Sequence, residues 1–150
     1  MTTTAKPGGL EGVIAGETSI CRVDQTSLLY RGYEIADLAE NATFEEVAYL
    51  LLEGEKPTEN QLATFKTQLV SERMIHPDIT AWLKTAVPAL KEKRAVPMDV
   101  LRTAVSMVGH ADPRCQAIDA ESNLRKAIRL TAKIPTIIGQ MQRFLDGHDA

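Results

Sequence analysis

Twice in a short span the chain writes out a complete helix start. In Thr43-Phe44-Glu45-Glu46 the threonine hydroxyl can accept the Glu46 amide, while the Glu46 carboxylate can accept the Thr43 amide. Phe44, Val47, Leu50 and Leu51 then fall on one face at helical spacing, and Gly54 is placed to end the turn. Pro57-Thr58-Glu59-Asn60-Gln61 repeats the signal, and Leu62, Phe65 and Leu69 continue an apolar stripe behind it. His76-Pro77-Asp78 restarts the chain into a helix carrying Ile79, Trp82 and Leu83. Pro97 suits a first helical position, and Leu101, Val105 and Val108 supply the next buried face. A chain punctuated this way must bury several amphipathic helices against one another, so the fold class is mainly α.

The connecting segments are read from the same signals. Val13-Ile14-Ala15, Ser19 to Val23 and Leu28-Leu29-Tyr30 are β-favouring runs broken by Gly16, Asp24 and Gly32, which predicts short strands ahead of the helices. Ile35 to Glu40 suits a short helix. Pro88 to Pro97, with Lys91, Glu92, Lys93 and Arg94, reads as a charged connector, and Ala111 to Ala120 as a loop. The last helix is expected from about Glu121 to Leu145, with Leu124, Ile128, Ile138, Met141 and Leu145 inward. Pro135 is expected to kink or split it.

Composition narrows the function classes. Aromatic residues make up 5% of the chain and the net charge is −3, which argues against stacking platforms for nucleic acid and against attraction to phosphate backbones. No apolar run approaches the roughly 20 residues that span a bilayer, and the start, Met1 to Gly9, reads as a flexible polar leader without a signal-peptide core. A cytoplasmic protein is the expectation. Cys21 and Cys115 lack any CxxC spacing and read as two reduced thiols.

His76, His110 and His148 are dispersed, each beside a Pro, Gly or Asp, and are expected to face solvent or cap helices. His110 with Asp112 could supply two metal ligands or an acid/base pair, though a third donor is missing nearby. Neither Ser19 nor Ser106 lies in a nucleophile elbow. Gly8, Gly9, Gly12 and Gly16 open towards strands and so imply turns, with no phosphate cradle. In Arg31-Gly32-Tyr33 the arginine is expected to anchor the strand segment through the backbone. Arg125, Lys126, Arg129, Lys133 and Arg143 share one long helix and read as a solvated polar face. The residues by themselves show no catalytic constellation.

A resemblance adds what spacing cannot. Gly9-Leu10-Glu11-Gly12-Val13-Ile14-Ala15-Gly16-Glu17-Thr18-Ser19-Ile20 resembles the opening of short bacterial and archaeal citrate synthases. Leu29-Tyr30-Arg31-Gly32-Tyr33 with Ile35 and Asp37-Leu38-Ala39 resembles a signature of that family, as do Phe44 to Leu52 with Gly54-Glu55 and Pro57. Pro97 to Ser106, Asp112-Pro113 and Ala132-Lys133-Ile134-Pro135-Thr136-Ile137-Ile138 continue the likeness in order.

The resemblance implies short N-terminal strands followed by helices of the citrate synthase large domain, incomplete, over residues 10–150. It also implies the family's chemistry: condensation of acetyl-CoA with oxaloacetate, then thioester hydrolysis to citrate and CoA. Removing a proton from the thioester methyl group needs a carboxylate base and a donor for the developing enolate oxygen. In the family an Asp and a His fill these roles while a second His polarises the keto acid; the histidines sit in Asn-His-Glu-like and Pro-Leu-His-Gly-Gly-Ala-Asn runs, with a Gly-His-Arg-x-Tyr run beyond them. None of these runs occurs here: Gly109-His110 is followed by Ala111, and Gly147-His148 by Asp149. No catalytic, cofactor-binding or metal residue is therefore carried over, and Arg31 and Arg102 match scaffold positions. The resemblance implies a chain inactive by itself, binding no cofactor, with acetyl-CoA as the family's co-substrate. Expected partners are a second copy or a citrate synthase C-terminal half. Methylcitrate synthases share this front region, so the acyl preference stays open.

Overall fold

The computed structural model describes residues 16–24 and 26–149, and the run Val13-Ile14-Ala15 lies outside them. The chain contacts itself in two units, Met1–Lys56 and Pro57–Ala150.

In the first unit, β1 (Cys21–Val23), β2 (Leu28–Tyr30) and β3 (Tyr33–Glu34) form an antiparallel sheet in chain order. Cys21 faces Tyr30 and Val23 faces Leu28; Tyr30 faces Tyr33 across a two-residue turn. That turn, Arg31-Gly32, has positive φ at both residues, 48° and 89°, the hand that matches the twist of the paired strands. Glycine adopts it freely, whereas arginine is strained there by about 1–2 kcal/mol. The Arg31 side chain offsets the strain. Its guanidinium donates to Ser19 Oγ at 2.7 Å and to the Leu51 carbonyl at 3.0 Å, and its amide donates to the Ile20 carbonyl. The expected anchoring role is what the structure shows, with the helix that carries Leu51 held as well as the residues that lead into β1.

Two helices complete this unit, α1 (Ile35–Asn41) and α2 (Phe44–Glu53). The capping box at Thr43 forms as read, with the Thr43 amide on Glu46 Oε2 at 2.7 Å, and Gly54 ends α2 at φ 97°. Leu38 and Leu50 are buried. Phe44, expected on the apolar face, is 66% exposed because it opens the helix a turn before the buried stripe begins.

The second unit is four helices: α3 (Glu59–Glu72), α4 (Pro77–Lys91), α5 (Pro97–His110) and α6 (Ala120–Leu145). Its core joins Ile79, Leu83 and Val87 of α4, Val100, Ala104 and Val108 of α5, and Ile137, Met141 and Phe144 of α6. The α3 helix buries Phe65 and Leu69 and packs along α6, which touches all three other helices. At 26 residues, α6 is about 39 Å long.

The structure departs from the sequence expectations at four further places. Helix α4 runs through Pro88 to Lys91, so the connector is shorter than expected. A proline this near the end removes one hydrogen bond, while Val87 and Leu90 on the core side hold the turn. Helix α6 is unbroken at Pro135, whose ring is exposed while Ala132 and Ile137 on either side are buried. The inward face of α6 uses Ile137 and Phe144, and Ile138 is 48% exposed. In α5 Val108 is buried as expected, but the other buried residues are Val100 and Ala104, with Leu101 and Val105 only half-buried beside them. In both helices, neighbouring apolar residues left the face ambiguous by one position, a shift of about 100° around the axis.

Candidate functional site

The concentration of buried charge lies where α6, the end of α3 and the loop after α5 meet. Arg125, Arg129 and Lys133 recur every four residues and so share one face of α6. That face is not solvated as expected. Asp112 leads the α5–α6 loop with only 7% of its surface exposed. Its carboxylate takes Arg129 Nη1 at 2.7 Å, Arg125 Nη2 at 3.1 Å and the Arg114 amide at 2.9 Å. Arg129 also donates through Nε to Glu72 Oε2 at 3.0 Å. One turn on, Lys133 Nζ donates to the Glu72 carbonyl at 2.8 Å and to the Met74 carbonyl. A single face of α6 thus fixes the C-terminus of α3 and the start of its own entry loop.

The electrostatics follow from these contacts. Burial pushes the Asp112 carboxyl up. The Arg114 amide, the Arg125 hydrogen bond and the charges of Arg129 and Arg125 together outweigh it and hold the group below its ordinary value. Arg129 is raised, first by its hydrogen bond to Glu72, against a smaller loss to burial. Lys133 is lowered, chiefly by burial. A carboxylate clamped as an ion between two arginines is a poor proton acceptor, because taking up a proton would give up both partners.

The pairing of His110 with Asp112 that the sequence left open is not made. Asp112 turns to the arginines, and His110 stands exposed in the last turn of α5. His76 caps α4, its Nδ1 accepting the Asp78 amide at 3.3 Å, and His148 is exposed after α6. Cys21 and Cys115 are free and exposed. Among the described residues no group of three or more His, Cys, Asp or Glu could hold a metal ion, and no helix is long and apolar enough to cross a membrane. An open cleft of about 320 Å³ lies beside the α3–α4 turn, bordered by Met74, Ile75, Ile79 and Val108 with Glu72, Arg129 and Lys133.

Sequence reasoning missed this network. The repeat of cations every four residues was visible, and so was the acidic Asp112 thirteen residues before Arg125. Glu72, 57 residues from Arg129, could be paired with it only once α3 was laid along α6.

Comparison with known proteins places these elements. Residues 9–150 match the family described as citrate synthase, C-terminal domain. The chain is 38% identical over 139 residues to citrate synthase 2 of Bacillus subtilis, covering 93% of this chain and 36% of that protein. It is 45% identical over 143 residues to 2-methylcitrate synthase of Shewanella oneidensis, covering 94% of this chain and again 36% of the relative. The crystal structure of citrate synthase from Pyrobaculum aerophilum superimposes with a TM-score of 0.82 at 34% identity, over 94% of this chain and 37% of that one. The chain therefore spans little more than a third of the length of the relatives it matches. Over that span the family match, the sequence identities and the superposition agree: the chain belongs to the citrate synthase family.

Proposed function

We propose that this polypeptide is scaffold from the front of a citrate-forming condensing enzyme of the cytoplasm, and that the groups performing the chemistry belong to the part of its relatives beyond the match. The observation that carries this reading is the lopsided coverage: more than nine-tenths of this chain matches, against 36% of each of two relatives. The role of Asp112 supports it. The buried carboxylate, which in another setting would be the natural candidate for a base, is committed to two arginines.

The reaction proposed for the whole assembly joins acetyl-CoA to oxaloacetate and releases citrate and CoA. A 2-methylcitrate synthase, taking a propionyl group, is the second reading, favoured by the 45% identity to the Shewanella protein. Large apolar side chains left in water, among them Met74 at 83%, Met98 at 68% and Ile118 at 87% exposed, favour a chain that pairs with a C-terminal portion or a second copy. The test measures CoA release from acetyl-CoA or propionyl-CoA with oxaloacetate. The chain is assayed alone, then co-expressed with the part of Bacillus subtilis citrate synthase 2 that lies beyond the match. No turnover alone and turnover on co-expression are expected. Turnover by the chain alone would overturn the scaffold reading, and the faster acyl donor would choose between the two reactions.

A further inference from the structure

We draw no further inference here: the strongest candidate, the open cleft beside the α3–α4 turn with Met74 at its rim and Ile79 and Val108 in its wall, carries nothing, because its two cations, Arg129 and Lys133, are already engaged by Glu72, Asp112 and main-chain carbonyls and nothing in the structure shows what covers its apolar wall.

Discussion

The two units of this chain solve the same problem by different means. Among its described residues, the unit ending at Lys56 buries Leu38 and Leu50 and adds a tight turn, a capping box and one arginine reaching in two directions. The unit from Pro57 buries apolar residues from all four of its helices and adds a charged clasp at one end of that core. Directional bonds hold the first, and area removed from water holds the second. The difference is chemical as well as one of degree. Hydrogen bonds to charged groups contribute about 1.5–3 kcal/mol each, whereas a buried leucine contributes through dozens of weak contacts that a neighbour can partly replace.

Substitutions can break or sharpen that contrast. The largest effect is expected from Leu83→Ala, at a fully buried position in the larger core. The loss is expected at about 2–5 kcal/mol in urea unfolding, with hydrogen exchange in the β1–β3 sheet unchanged. Exchange accelerating equally in both units would show that they do not behave separately.

Next comes Asp112→Asn, which leaves Arg125 and Arg129 facing a neutral amide. Removing one partner of a buried pair costs about 3–5 kcal/mol. Since Arg125 is partly open to water, the lower end of that range is expected. The same variant carries a pH signature. Folding lowers the Asp112 carboxyl below its ordinary value of 3.8, so its stabilisation is complete above that value. It is lost as pH falls through the lowered, folded value. Wild type should therefore lose stability more steeply on acidification than Asp112→Asn. Parallel curves would remove Asp112 from the acid response.

Smaller effects fall on the first unit. Arg31→Ala keeps part of the turn strain while deleting the contacts to Ser19 and Leu51. It should cost about 2 kcal/mol, seen as faster exchange of the β2–β3 amides, and Arg31→Gly should recover part of the loss by relieving the turn. Thr58→Ala removes the capping box of α3, and about 1 kcal/mol of helix stability is expected to go with it. The readout is exchange at the first turn of α3; no change there would mean that packing on α6 alone fixes that end.

The features legible in the sequence share a property: each is decided within a few residues. The capping boxes at Thr43 and Thr58, the stop at Gly54 and the Pro97 start all formed as read. What could not be read depended on partners distant along the chain. Whether Ile137 or Ile138 faces inward is set by where α4 and α5 lie, and apolar neighbours give no local preference. Prolines 88 and 135 are local helix breakers, yet both sit in helices whose flanking residues are held by tertiary contacts. The charged face of α6 looked solvated because its acids, Glu72 and Asp112, stand on other elements. Family membership could be read from ordered motifs spread along the chain, whereas no cluster of residues within reach of one another in sequence named a reacting group.

The length and position of α6 have a consequence for the order of events during synthesis. This helix is made last in its unit, yet α3, α4 and α5 all pack on it and the ion pairs of Glu72 and Asp112 end on it. As the chain emerges from the ribosome, α4 and α5 can pack on each other, but the surfaces of α3, α4 and α5 that face α6 stay uncovered until Arg129 and then Phe144 have cleared the exit. Their contacts with α6 bridge long stretches of chain, which slows closure further. Within this unit, the apolar surface still waiting for a partner is therefore greatest just before α6 is complete.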